Sequence, residues 1–319
     1  MIQVLLLSDP AARSLRLLEN LSEPVGLAVG NDPEFIAAHA RNADVIVVGS
    51  SQADHLRMAF PLAQRVRWVH SLPAGVERIL FPELVESVVP LTNGRGVFSR
   101  ALAEFAIAAI LFFAKDLRRL VRSQQAGKWD QFDIELVRGQ VLGVVGFGDI
   151  GRQTARLARA LGMKIVAVRR RPAAGGEAEL ERVFSPAELR EMVEISDYVV
   201  VSTALTPETR GMIGEAELNA MKETAVIINI GRGPTVVESA LVAALAAHRI
   251  RGAALDVFDE EPLPAGHPFY GLENVLLSPH SADHTRDWAD DAMKVFLENL
   301  ERFRLGQPLL NIVDKRAGY

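Results

Sequence analysis

RGQVLGVVGFGDIGRQTARLARALGMKIVAVRRR, residues 138–171, is the stretch from which the fold can be read. Val141, Leu142, Val144 and Val145 form an almost unbroken apolar run, the mark of a strand buried on both faces of a parallel sheet. Gly146, Gly148 and Gly151 follow as G-x-G-x-x-G, where a strand must become a helix. The first glycine permits the turn, the second lets backbone approach a pyrophosphate, and the third lets helix pack on strand. The N–H groups at the start of that helix, at Asp149 and Ile150, and its positive end suit phosphate. Ala155, Leu157, Ala158 and Leu161 give the helix an apolar face, Gly162 ends it, and 164–168 reads as the next strand. The whole reads as a Rossmann dinucleotide-binding unit. At the end of the second strand an acidic residue would hold the ribose hydroxyls of NAD. Here stand Arg169, Arg170 and Arg171, the first of them eighteen residues after Gly151. Arg169 and Arg170 suit the 2′-phosphate of NADP, and Arg171, next to Pro172, is expected to face solvent.

The strand–helix rhythm extends both ways from this unit. Upstream, 2–7, 24–29, 44–48, 66–70 and 88–91 read as strands and 11–21 as a helix, with a further helix opening at Asp32-Pro33. That makes the first block a small α/β domain in its own right and leaves the glycine turn mid-chain. Gly94 and Gly96 mark a hinge, and 98–122 reads as one alanine-rich helix with Glu104 embedded in its apolar face. Downstream, Ser185-Pro186-Ala187-Glu188 is a capped helix start, strands fall at 197–201, 225–230, 253–258 and 275–277, and 287–304 is a last long helix. A six-stranded doubly wound sheet fits 141–280.

Composition narrows the class. The chain has 319 residues, 49% of them hydrophobic, enough for two domain cores. No apolar run is long enough for a membrane span. Residues 1–7 enter a strand pattern without a signal peptide's basic region. The absence of cysteine excludes disulfide and thiolate chemistry and fits a cytoplasmic protein. A net charge of −5 argues against a general nucleic-acid surface. No His/Asp/Glu group has metal-ligand spacing. His55, His70, His248, His267 and His284 read as surface or structural.

Three further strand ends carry chemistry: Gly231-Arg232-Gly233, Asp259-Glu260-Glu261-Pro262 and Pro279-His280-Ser281. Ligands of open α/β sheets bind at such ends. An arginine can pair with a carboxylate and polarise a neighbouring oxygen. A histidine can take a hydroxyl proton, or return it in the reverse direction, while a hydride is exchanged with a nicotinamide. A carboxylate can hold that imidazole and raise its pKa. Arg232, His280 and Glu261 meet these needs in that order.

On LTPETRGMI (205–213), NIGRGPTVVESAL (229–241), ALDVFDEEPLP (254–264) and LLSPHSA (276–282), the chain resembles the D-isomer-specific 2-hydroxyacid dehydrogenase family, which includes glyoxylate/hydroxypyruvate reductases and D-3-phosphoglycerate dehydrogenases. The resemblance covers nearly the whole chain. It implies a Rossmann cofactor domain, 95–284, inserted into a flavodoxin-like substrate domain, 1–94 and 285–319, both doubly wound parallel sheets. It implies Arg232, Glu261 and His280 as the catalytic set. It also implies Asp256 on the nicotinamide amide, Thr209 and Ile230 along the cofactor cleft, and the backbone of Ala74, Gly75 and Val76 on the substrate carboxylate. A homodimer through the cofactor domain, with helix 98–122 contributing, is expected. The loops 50–55 and 72–76 and Trp288 are expected to shape the substrate pocket.

The departures from the family are Glu238 where Asp is usual, Ala204 in place of a proline, Asp149 in the phosphate loop, expected to turn its carboxylate away, and the arginines at 169–171. The expected activity is reduction of a small 2-oxo acid such as glyoxylate or hydroxypyruvate, with NADP(H) preferred and NAD(H) the alternative. The competing expectation is a cofactor-sensing, corepressor-like regulator on the same fold. An L-lactate/malate-type dehydrogenase is disfavoured, because its glycine turn lies near the N-terminus.

Overall fold

The computed structural model describes residues 1–19, 21, 25–49, 52–170 and 180–319. Pro24, Ser50 and Arg171, each part of an expectation above, lie outside the described residues. The chain divides into two compact units, one of Met1–Phe98 with His284–Tyr319 and one of Ser99–Asp283. The first boundary falls four residues past the expected position because Phe98 packs on Trp288 within the first unit, ring centroids 6.3 Å apart.

The first unit begins with β1 (Ile2–Leu7), β2 (Val25–Gly30), α1 (Pro33–Ala40), β3 (Val45–Val48), α2 (Ala53–Ala59), β4 (Trp68–Ser71), α3 (Pro82–Glu86) and β5 (Leu91–Asn93). The sheet is parallel, in the order β2-β1-β3-β4-β5, the flavodoxin-like arrangement. β3 is buried throughout, which is why its sequence, VIVV, is continuously apolar. Leu5, Leu7, Ile36, Ile46, Leu56, Val69 and Leu84 fill one core, each full burial contributing roughly 1.5–3 kcal/mol. The helix expected over 11–21 is a 3₁₀ segment, Arg13–Leu18. Asp32 caps α1 as expected, accepting from the Phe35 N–H.

The second unit starts with α4 (Ser99–Ala114) and α5 (Leu117–Gln125) in place of one helix. Asp116 breaks it: its backbone is left-handed (φ 44°) and its side chain accepts from the Arg119 N–H, so the same residue caps the new start. Glu104 is not embedded. The buried stripe of α4 runs Leu102, Ala103, Ala106, Ala109, Ile110 and Phe113, and Glu104 lies off it, half-exposed and paired with Arg100 one turn back. Then follow β6 (Val141–Val145), α6 (Asp149–Ala160), β7 (Lys164–Val168), β8 (Arg182–Phe184), α7 (Leu189–Ile195), β9 (Tyr198–Val201), α8 (Glu215–Ala220), β10 (Val226–Asn229), α9 (Glu238–Ala246), β11 (Gly252–Leu255) and β12 (Val275–Leu277). Among the described residues the sheet has seven strands rather than six, in the order β12-β11-β10-β9-β6-β7-β8, all parallel. The added strand, β8, is three residues long with only Phe184 buried, too short to show a period in sequence. Strand order reverses between β6 and β9, the switch point where doubly wound sheets bind ligands.

The chain then returns to the first unit as α10 (Trp288–Arg304). Phe296 stacks on Trp68 of β4 at 5.6 Å. Among the described residues no helix is long and apolar enough to cross a membrane.

Candidate active site

The glycine turn is built as its spacing requires. Gly146 has φ +92°, and a Cβ there would lie 2.7 Å from Thr203 Cγ2 and 2.9 Å from the Thr203 nitrogen. A Cβ on Gly151 would lie 2.5 Å from the Gly146 carbonyl oxygen, so this glycine lets α6 pack onto the turn. Gly148 differs, because its Cβ position meets no atom within 4 Å. A bare backbone facing open space at the start of a twelve-residue helix fits a dinucleotide's pyrophosphate. Asp149 does not spoil the fit: its carboxylate accepts from Ser99 Oγ at 2.5 Å and so is committed to α4.

Arg169 follows β7 directly, and its N–H donates to the Phe184 carbonyl. Both Arg169 and Arg170 have interaction partners. The charge of Arg170 reaches Glu208, whose carboxyl lies below its ordinary range, chiefly through the hydrogen bond from Thr206 Oγ1 and its own backbone N–H, with Arg170 adding to them. The Thr209 hydroxyl donates to the Ala204 carbonyl at 2.6 Å and accepts from the Thr206 N–H at 2.8 Å, so it is spent on shaping its own loop. Ile230 is buried and its N–H donates to the Val201 carbonyl.

Three loops of the second unit then bring Arg232, Glu261 and His280 together. Arg232 follows β10, and its carbonyl accepts from both Asn229 Nδ2 (3.1 Å) and Thr235 Oγ1 (2.6 Å), which fixes the backbone beneath the guanidinium. Glu261 follows β11. Its Oε1 accepts from the Phe258 N–H at 3.0 Å, and its Oε2 lies 2.7 Å from His280 Nδ1. A carboxylate only accepts when ionised, so Nδ1 carries the proton in this contact and Nε2 is the ring nitrogen it leaves over.

Charge completes the arrangement. The His280 pKa is raised, first by the Glu261 hydrogen bond and then by the charges of Glu261 and Asp256, against burial and the charge of Arg232. Burial pushes Glu261 up, but its bonds from His280 and Phe258 and the charges of His280 and Arg232 outweigh this, so its pKa is lowered.

Sequence reasoning missed how His280 is held. Its φ is +51°, a left-handed conformation uncommon outside glycine and met most often at asparagine, aspartate and histidine. Asp256 supports it: one carboxylate oxygen accepts from Ser278 Oγ (2.5 Å), the Ser281 N–H (2.9 Å) and the Ala282 N–H (3.0 Å). The two N–H groups immediately after His280 are therefore gathered onto one buried oxygen. No local pattern announces this, because the acceptor lies two dozen residues upstream on a neighbouring strand end.

In the first unit, the carbonyls of Pro73, Ala74 and Val76 accept hydrogen bonds from their own unit, that of Val76 from the Ile79 N–H. Asn93 Nδ2 donates to the Ala74 carbonyl at 2.6 Å, and Ser71 Oγ and the Gly94 N–H donate to that of Pro73. Backbone N–H groups, such as those of Ala74, Gly75 and Val76, have the polarity a carboxylate needs.

Comparison with known proteins identifies the class. Residues 107–282 match the D-isomer specific 2-hydroxyacid dehydrogenase, NAD binding domain. The chain is 36% identical over 300 residues to a glyoxylate reductase of Aeropyrum pernix, covering 89% of this chain and 87% of the relative. It is 31% identical over 315 residues to a D-3-phosphoglycerate dehydrogenase of Methanocaldococcus jannaschii, covering 97% of this chain and 59% of that longer protein. Among solved structures, a D-isomer specific 2-hydroxyacid dehydrogenase from Xanthobacter autotrophicus Py2, in complex with NADPH and MES, superposes with a TM-score of 0.83 at 29% identity, covering 100% of this chain and 99% of that one. With an NAD-binding domain spanning more than half its length and relatives matched along nearly all of it, this chain belongs to the D-isomer specific 2-hydroxyacid dehydrogenase family and is an oxidoreductase of small 2-hydroxy and 2-oxo acids.

Proposed function

We propose that the protein is an NADPH-dependent reductase of a small 2-oxo acid of the glyoxylate/hydroxypyruvate type, with Arg232, Glu261 and His280 as its catalytic residues. The observation that carries this is the 2.7 Å contact between His280 and Glu261, with the Arg232 charge acting on both. When bound, the nicotinamide supplies the hydride that reduces C2. The Arg232 guanidinium pairs with the substrate carboxylate and polarises the keto oxygen. His280, protonated on both nitrogens, gives its Nε2 proton to that oxygen as it becomes a hydroxyl. Glu261 holds the ring by Nδ1 and stabilises its charged form before transfer. In the oxidative direction neutral His280 takes the hydroxyl proton back. The family resemblance implies the backbone of Ala74, Gly75 and Val76 as a further holder of a substrate carboxylate.

Gly146, Gly148, Asp149 and Ile150, with Gly151, would hold the pyrophosphate, and Asp256, at the end of β11, the nicotinamide amide. Thr209 and Ile230 would shape the cleft walls. Arg169 and Arg170 are the basis for preferring NADP(H). A carboxylate at that position would repel a 2′-phosphate, whereas each charge-assisted contact from arginine is worth roughly 1.5–3 kcal/mol. The NADPH complex of the relative from Xanthobacter autotrophicus supports this. The test is kcat/KM for NADPH and for NADH with glyoxylate and hydroxypyruvate, in the wild type and in Arg169→Asp. NADPH should be favoured by at least about tenfold in the wild type, and the ratio should collapse in the variant. Equal wild-type values would refute the cofactor choice, and failure to turn over any acid of a 2-oxo acid panel would refute the activity.

The working form is proposed to be a homodimer. Leu120 and Val121 on α5, together with Trp129 and Leu136 after it, are exposed, Trp129 by 93%. They lie on a stretch held in shape by two Arg119–Asp130 hydrogen bonds of 2.7 and 2.9 Å, as suits a preformed apolar contact face. Light scattering of the wild type and of Trp129→Glu measures this directly.

A further inference from the structure

Behind Glu261 lies a second carboxylate–imidazole pair that the reaction scheme does not use. Glu238, the first residue of α9, has its Oε1 3.1 Å from His267 Nε2. His267 Nδ1 accepts from the Phe269 N–H, so the ring proton is on Nε2 and His267 donates to the carboxylate. The other oxygen of Glu238 accepts from the Asp259 N–H at 3.2 Å. Both side chains are mostly buried, 16% exposed for His267 and 23% for Glu238.

One carboxylate therefore ties three points together: the start of α9, the loop at His267 and the peptide between Phe258 and Asp259. That peptide matters because its neighbour, the Phe258 N–H, is what Glu261 Oε1 accepts from, while Glu261 Oε2 holds His280. The same peptide is hemmed in on the other side. A Cβ on Gly233 would fall 2.0 Å from the Phe258 carbonyl carbon and 2.6 Å from the Asp259 nitrogen, so the Arg232-Gly233 backbone lies directly against it. Phe258 also packs near Phe269, ring centroids 6.3 Å apart, and Phe269 is the residue whose N–H fixes the His267 ring.

We propose that Glu238 and His267 are positioning residues for Glu261, and that through it they set how strongly His280 holds its proton. The proposal rests on Glu261 and His280 being the acid–base pair. The groups facing this network are Arg210, whose charge acts on Asp259 together with that of Glu238, and Arg232 and Asp256, which act on His280. The hydrogen bonds of Glu238 and His267 run to each other and to the Asp259 and Phe269 N–H groups rather than to Glu261 or His280, so the effect is transmitted by backbone position.

Reduction needs protonated His280, so kcat/KM for reduction falls as pH rises through its pKa. The experiment measures this alkaline limb, with kcat and KM separately, in wild type, Glu238→Ala, Glu261→Gln and the double variant. Glu238→Ala should move the limb about half to one unit toward acid and lower kcat about five- to twentyfold with KM little changed. Glu261→Gln should move it further, and adding Glu238→Ala to it should cause no additional shift. If Glu261→Gln leaves the limb in place, the reading of the active site itself fails. If Glu261→Gln moves it and Glu238→Ala does not, or if the two shifts add in full, only the positioning role is overturned. Should Glu238→Ala not fold, His267→Ala cuts the same tie from the other side and is judged by the same shifts.

Discussion

Two histidines near strand ends of parallel sheets have opposite chemistry here. His70, in β4 of the first unit, is fully buried and its pKa falls from 6.5 to about 3 through burial alone. Its Nδ1 lies 2.7 Å from Thr92 Oγ1, which also accepts from Trp68 Nε1, and its ring packs near Trp68 and Phe296. Among the described residues no carboxylate charge acts on it. His280, after β12 of the second unit, is 41% exposed on its side chain and its pKa is raised by Glu261. Burial without a counter-charge silences an imidazole, whereas partial burial beside a carboxylate arms it.

The largest expected effect tests the armed histidine. His280→Ala should lower kcat for 2-oxo acid reduction by roughly 10²–10⁴ with the unfolding transition nearly unchanged. Turnover close to normal would put His280 in the same class as His70.

The silent histidine should appear in stability instead. Its folded pKa lies below its unfolded value, so the unfolded chain takes up a proton as pH falls below 6.5 while the folded chain stays neutral until about 3. This contribution to stability is intact above 6.5 and is lost progressively down to about 3, a change on the order of several kcal/mol. Urea denaturation at several pH values should show the loss in the wild type and a shallower one in His70→Leu, with kcat near pH 7 little changed. Parallel pH dependence in the two proteins would mean that His70 is not the group being protonated.

Next in size, Glu261→Gln keeps a hydrogen-bonding side chain but removes the charge that raises the His280 pKa. kcat should fall roughly 10- to 100-fold, and the alkaline limb of the reduction profile should move toward acid. A limb that stays in place would leave burial as the only difference between the two histidines.

The smallest effect belongs to Asp256. Burial pushes its carboxyl up, against the hydrogen bonds from Ser278, Ala282 and Ser281, and it adds to the His280 shift through charge alone. Asp256→Asn retains an acceptor for the turn and should move the same limb by only a few tenths of a unit. A shift as large as that of Glu261→Gln would make the His280 turn, rather than the ring contact, the main support.

Legibility followed the range of the interactions. The glycine turn could be read because its three glycines fall within six residues at a strand-to-helix junction, a spacing visible in the chain itself. Ser185 and Glu188 form the expected capping box for the same reason. Glu104 misled because apolar neighbours in sequence do not say which face of α4 is covered, and the break at Asp116 was masked by helix formers on both sides. His70 shares with four other histidines the reading of surface or structural, and only the fold, which buries it completely, selects the second.

By itself, the sequence determined the alternation of strands and helices, the mid-chain cofactor turn and the family motifs carrying Arg232, Glu261 and His280. These are properties of periodicity and of short spacings, which the chain carries whether folded or not. Only the tertiary structure decided that Asp256 holds His280 in a left-handed turn, that Glu238 grips the peptide beside Glu261, and that Asp149 faces Ser99. Each of these joins residues at least two dozen positions apart or on separate elements, and its geometry exists only once parallel strands bring their ends side by side.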